Sequence, residues 1–198
     1  MMGLVASLAA SYLVGALPTG YLLVKWTRHL DVRTVGSGNV GATNVTRAAG
    51  KGWGLIVLLL DIAKGALATV GLARWGVPAA TPAVQLACGL AAVLGHNFPV
   101  FLKFRGGKGV ATTLGVVCTV NPIVGLACAG MWLATFLGTR HVSVASMAAA
   151  ATIPLAQLLG NRPAGEVLLG IMLALLIVAR HRANIERLLR GTEPTLHK

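Results

Sequence analysis

Apolar residues run almost unbroken over seven stretches of the chain, near 4–24, 53–73, 80–102, 109–120, 122–138, 143–160 and 164–179, and polar residues collect in the intervals between them. Each stretch is bounded by glycine, proline or basic residues. Crossing about 30 Å of hydrocarbon takes roughly 20 helical residues, so the pattern predicts an all-α, polytopic membrane protein of about seven transmembrane helices. The fourth and fifth stretches, divided only by Asn121-Pro122, are the shortest. They are expected to tilt, to extend into their loops or to form one re-entrant pair. No long linker, low-complexity tract or internal repeat interrupts the series, so a single membrane domain over 1–198 is expected. The apolar opening, Met1 to Val24, has no basic segment before it of the kind a cleavable signal needs, and it is read as the first span.

Charge fixes the expected orientation. Seven crossings place successive intervals on alternate faces, and Lys and Arg then divide unevenly. One face receives Lys25, Arg28, Arg33, Arg47, Lys51, Lys103, Lys108, Arg105, Arg140, Arg180, Arg182, Arg187, Arg190 and Lys198; the other receives Arg74 and Arg162, and Lys64 stays inside a span. The crowded face is expected to be cytoplasmic, with the N-terminus outside and the C-terminus inside. The net charge of +12 is therefore mostly topology, with contact to anionic lipid heads, and no nucleic-acid partner is expected. Only 11% of residues are charged and 56% are hydrophobic, too few charges for a water-exposed surface. Cys88, Cys118 and Cys128 lie in apolar runs without paired spacing, which points to packing and not to disulfides or zinc. The acids are scattered and no His or Asp cluster has ligand spacing, so neither a metal nor a cofactor is expected.

The first basic interval contains Gly36-Ser37-Gly38-Asn39-Val40-Gly41-Ala42-Thr43-Asn44, a match to G-x-G-x-x-G. A dinucleotide site would need a strand before it and a βαβ unit around it, and here a membrane span precedes it. A P-loop is also excluded, because Gly41 is followed by Ala42-Thr43 and not by Lys and then Ser or Thr. The shared physics survives. Glycines let backbone N–H groups turn toward an anion, and Ser37, Asn39, Thr43 and Asn44 add donors. Arg47 follows about one turn later on an expected interfacial helix. The plainer alternative is a turn-rich connector.

The second interval, Gly95-His96-Asn97-Phe98-Pro99 through Phe104-Arg105-Gly106-Gly107-Lys108-Gly109, repeats the device. Glycines around Lys108 stand at a helix N-terminus, where free N–H groups and the helix dipole favour negative charge. Arg105 adds a fork of donors. Lys103 reads better as a membrane anchor. His96 is a candidate base, although histidines at span ends more often serve structure. The His-x4-Asp arrangement of many membrane acyltransferases is absent, since its aspartate position is occupied by Phe101. Toward the C-terminus, Ser143 and Ser146 follow Arg140-His141, and His181, Asn184 and Arg187 recur at helical spacing. Asp61 and Lys64 share a face within the second span and are expected to pair for structural reasons.

Taken together, these three motifs in order, with Asp61 to Lys64-Gly65 as a fourth point, resemble the bacterial acyl-phosphate:glycerol-3-phosphate acyltransferase family over nearly the whole chain. The resemblance implies transfer of a fatty acyl group from acyl phosphate to the sn-1 hydroxyl of glycerol 3-phosphate, giving lysophosphatidic acid and phosphate at the cytoplasmic face of the bacterial inner membrane. Two phosphate-bearing substrates account for two glycine-rich sites, and an activated acyl donor removes the need for a serine or cysteine nucleophile. Ser37, Gly38, Thr43, Arg47 and Lys108 are then expected to hold phosphate, helped by Arg105 and Gly107. Ser143, His181 and Asn184 are expected to orient glycerol 3-phosphate, and Asn39 and Asn44 to shape the loop or donate hydrogen bonds. The hydroxyl proton goes either to His96 or to a substrate phosphate oxygen. A small-anion transporter is the rival reading, disfavoured because carriers usually show internal repeats and polar residues at mid-membrane.

Overall fold

The computed structural model describes residues 1–195, and secondary structure among them is entirely helical. Lys198, counted above with the crowded face, lies outside the described residues. All seven apolar stretches are helical, with shifted ends. The first reaches Arg28 and is broken once, between α1 (Met2–Ala16) and α2 (Thr19–Arg28). Pro18 is the cause: the residue before a proline is driven out of the helical region, and Leu17 has φ −58° and ψ 117°. The short α3 (Ala42–Ala49) lies in the first basic interval. It is followed by α4 (Lys51–Gly76), whose residues Leu67–Leu72 widen into a π-helical turn. Next come α5 (Pro82–Asn97) and α6 (Val110–Val120).

The remaining helices are α7 (Pro122–Thr139), α8 (Val142–Leu159), α9 (Ala164–Arg180) and α10 (Arg182–Leu189). Caps mark several starts. Thr81 accepts from the Val84 N–H and Asn121 accepts from the Val124 N–H, each with proline in the first helical position. Among the described residues five helical segments are long and apolar enough to cross a membrane, and a sixth is added if α9 and α10, bent by 56°, count as one broken span. The fourth stretch, α6, has 11 residues and rises only about 16 Å. The fifth, α7, reaches 18. Leu55, Leu59 and Leu60 on α4 and Leu133 and Leu137 on α7 stand exposed. Apolar flanks of this kind belong in lipid, not water.

The chain divides into two compact units, Met1–Val116 and the residues from Val117 onward. In the first, α1 lies against α5 with no room for a side chain at the crossing: a Cβ on Gly15 would strike the Ala92 carbonyl, and one on Gly95 the Tyr12 carbonyl. Val24, Val32, Val40, Val45, Val57 and Leu102 form an apolar core under its basic end. In the second unit α8 packs between α7 and α9. Trp132 donates to Ser146 Oγ at 3.3 Å and stacks on Phe136 at 5.1 Å.

Candidate active site

The first glycine-rich loop is organised by Asn44. Its side chain is 1% exposed, and its amide donates to the carbonyls of Val32, Val35 and Asn39 at 3.0, 2.9 and 2.9 Å while its Oδ1 accepts from the Ser37 N–H at 2.9 Å. One side chain thus closes a loop from position 32 to position 39. The chain can turn this tightly because Gly36 and Gly38 sit at φ +57° and +67°, where a side chain is strained. Asn39 accepts from the Gly41 N–H at 2.8 Å, and α3 then begins at Ala42, with the Asn44 and Val45 N–H groups both donating to the Gly41 carbonyl at 3.0 and 3.1 Å. The Arg47 stem lies over the loop, its Cδ 3.8 Å from the position a Gly36 Cβ would take. Ser37, Gly38 and Arg47 are exposed, and Thr43 is half-buried. The loop is braced at its start by Asp31, which receives Arg33 at 2.6 Å while that guanidinium also covers the Tyr21 ring. The hydrogen bond from Arg33 outweighs burial and holds the Asp31 carboxyl down at about 2.

The second loop folds back on its own origin. Gly106 N–H donates to the Asn97 carbonyl at 3.2 Å and Gly107 N–H to the His96 carbonyl at 3.0 Å. A Cβ on Gly106 would strike that same His96 carbonyl, so no other residue fits. Lys108 follows, half-buried, just before α6, and Arg105 stands exposed on the turn. Leu102 of this segment enters the same core as Val32, Val40 and Val45 of the first loop, and one small crevice is bordered by Val40, Lys64, His96 and Pro99. Both loops are therefore anchored on one end of the first unit. Behind them Lys64, 6% exposed, bridges Asp61 and His96 at 2.8 and 2.7 Å.

In the second unit Ser143 and Asn184 meet on an acid that sequence reasoning passed over as isolated. Ser143 Oγ donates to Glu193 Oε1 at 2.7 Å, Asn184 Nδ2 to the same oxygen at 2.6 Å, and Arg187 Nε to Oε2 at 2.8 Å. The only hint in sequence is that Glu193 is one acid at the end of a basic tail. His181, at the bend between α9 and α10, donates from Nδ1 to the Ile177 carbonyl at 2.8 Å. Burial acts to raise the Glu193 carboxyl, but the three hydrogen bonds and the Arg187 charge outweigh it and hold the group below its ordinary value. Its stabilising effect is then complete above the unfolded carboxyl value of about 4.3 and fades as pH falls through the lower folded value. Thermal unfolding should show wild type more stable than Glu193→Gln at pH 7, with the two converging below about pH 4. An unchanged gap across that range would reject the clasp. Among the described residues no group of three or more His, Cys, Asp or Glu gathers as a metal site.

Known proteins resemble this chain over nearly its whole length. The family model described as glycerol-3-phosphate acyltransferase matches residues 5–191. A glycerol-3-phosphate acyltransferase of Desulforudis audaxviator is 45% identical over 97% of this chain and 95% of its own length, and one of Myxococcus xanthus is 51% identical over 92% and 94%. Two crystal structures of PlsY, described as an integral membrane glycerol 3-phosphate acyltransferase, superpose on the chain. The glycerol 3-phosphate form does so with a TM-score of 0.89 at 42% identity, and the lysophosphatidic acid form with 0.86 at 40%, each covering 97% of this chain and 94% of the other. With three motifs in order, one helical membrane fold and a family match over nearly its whole length, the chain belongs to the glycerol-3-phosphate acyltransferase family.

Proposed function

We propose that this chain carries out its family's reaction with acyl phosphate as donor and without an acyl-enzyme intermediate. The enzyme is a glycerol-3-phosphate acyltransferase whose product is lysophosphatidic acid, which makes it a phospholipid-synthesis enzyme of the membrane. The sn-1 oxygen of glycerol 3-phosphate attacks the acyl carbonyl carbon, the bond from that carbon to the phosphate oxygen breaks, and inorganic phosphate leaves with the proton. One observation carries this reading: two glycine-rich loops, each ending in a cation, are fixed to a common core, so Arg47 and Lys108 can meet phosphoryl oxygens without rearranging. Ser37, Gly38 and Thr43 supply donors beside Arg47, with Arg105 and Gly107 beside Lys108. Ser143, His181 and Asn184 serve glycerol 3-phosphate. Asn39 and Asn44 shape the first loop. A substrate phosphate oxygen accepts the hydroxyl proton, since phosphate is a good leaving group and the donor arrives activated.

The 198 residues act as one catalytic membrane domain with seven crossings, the N-terminus outside and the reaction at the cytoplasmic face of the bacterial plasma membrane. Support comes from the excess of Lys and Arg on one set of intervals. One experiment tests chemistry and orientation together. Sealed inside-out vesicles holding the protein, given acyl phosphate and radiolabelled glycerol 3-phosphate from outside, should form labelled lysophosphatidic acid, whereas right-side-out vesicles should not. Label accumulating inside without a lipid product would favour the small-anion carrier. Equal synthesis by both kinds of intact vesicle would reject the orientation.

A further inference from the structure

An ammonium has three N–H donors and no acceptor, and Lys64 finds three acceptors: His96 Nδ1 at 2.7 Å, Asp61 Oδ1 at 2.8 Å and the Leu17 carbonyl at 3.4 Å. Thr19 Oγ1 donates to the same Asp61 oxygen at 2.8 Å. Were Lys64 a neutral amine, Asp61 would be a buried charge with no countercharge on its own helix, a far costlier arrangement than the pair. Lys64 is therefore the donor in its contact with His96. It follows that Nδ1 supplies a lone pair, and the proton of the neutral imidazole sits on Nε2. That nitrogen is aimed at the second glycine-rich loop, because a Cβ on Gly107 would collide with it. The His96 carbonyl meanwhile holds the Gly107 N–H at 3.0 Å, and Lys108 is the next residue.

We propose that Lys64, held by Asp61, locks His96 as the Nε2–H tautomer and makes it a positioning residue that braces the Gly106-Gly107-Lys108 loop, not a base. A base needs a lone pair facing the substrate, and Nε2–H has none. Nδ1 also stands 3.7 Å from Asp61 Oδ1, beyond hydrogen-bond reach, and its lone pair is taken by Lys64 at 2.7 Å. The cluster thus opposes the tautomer exchange that would turn a lone pair on Nε2 toward the substrate. Of the titratable side chains on the elements around it, Asp61 and Lys64 of α4 stand 3.7 and 2.7 Å from Nδ1, Tyr12 of α1 donates to the Phe98 carbonyl at 2.7 Å, and the loop itself carries Lys103, Arg105 and Lys108. The consequence for turnover rests on the phosphate role given above to Lys108, but the tautomer does not.

The test joins a spectrum to kinetics. Protein labelled with 15N-histidine, its His96 resonances identified by their loss in His96→Gln, should show a protonated Nε2 and a bare Nδ1 from about pH 6 to pH 8, without titration. In the acyl phosphate assay, His96→Gln places an amide donor where Nε2–H stood and should keep kcat/KM within about tenfold, whereas His96→Ala should lose a hundredfold or more, the scale of a lost preorganised contact. An Nδ1–H tautomer, or an imidazolium forming in that range, overturns the proposal. So do equal losses in the Gln and Ala variants, which a base would give, or near-normal turnover in His96→Ala. If His96→Ala fails to fold, the wild-type spectrum and a His96→Gln loss above about a hundredfold still decide. Wild-type protein that makes no lipid would refute the acyltransfer reading while leaving the spectrum to judge the tautomer.

Discussion

Lys108→Ala is expected to reduce turnover by at least about a hundredfold while leaving the helices and thermal stability close to wild type. Lys108 is half-buried on a loop whose backbone is held by the Gly106 and Gly107 N–H groups, so its removal takes away a full countercharge while those backbone bonds stay in place. Negative charge on the departing phosphate grows as the acyl carbon–oxygen bond breaks. A cation already in place stabilises that charge with no reorganisation, and this is where preorganised electrostatics contributes most. The check is kcat and KM of purified variant in detergent, with circular dichroism and a melting curve on the same sample. Near-normal kcat in a folded Lys108→Ala protein would remove the lysine from the phosphate site.

Asn44→Ala is expected to lose both activity and stability. Four backbone groups, three carbonyls and one N–H, depend on this one amide. Leaving several of them without partners should lower stability by roughly 3 kcal/mol and release the segment that presents Ser37, Gly38 and Arg47. Asn44→Asp keeps the acceptor for the Ser37 N–H but loses the donors and adds an anion beside a site for anions, so it should be no better. Hydrogen exchange would locate the damage: faster exchange confined to about residues 32–45 is the expected result, and exchange unchanged there would show that the loop holds itself. Because Asn44 stands behind the loop, its loss is expected in kcat/KM as a whole, whereas that of Lys108 falls mainly on kcat.

The pattern along the chain determined the class of the protein and the residues worth watching. Long apolar stretches without charge cannot remain in water, and lipid requires backbone groups to be satisfied within each segment, so helices were fixed before any tertiary contact. Glycines at 36, 38, 106 and 107 were legible as turn-formers, because few other residues tolerate those backbone positions or the close approach behind them. What the motif spacing could not assign was who holds whom. Asn44 read as either a shaper of the loop or a hydrogen-bond donor, and its amide is consumed in closing the loop. Lys64 read as the partner of Asp61 alone, because i and i+3 share a helix face, and its reach to His96 on another helix was invisible. Glu193 read as a stray acid until folding brought it to Ser143, fifty residues away in sequence. Local periodicity is written in the order of residues along one helix, whereas hydrogen bonds between helices depend on crossing points and rotations that packing alone selects.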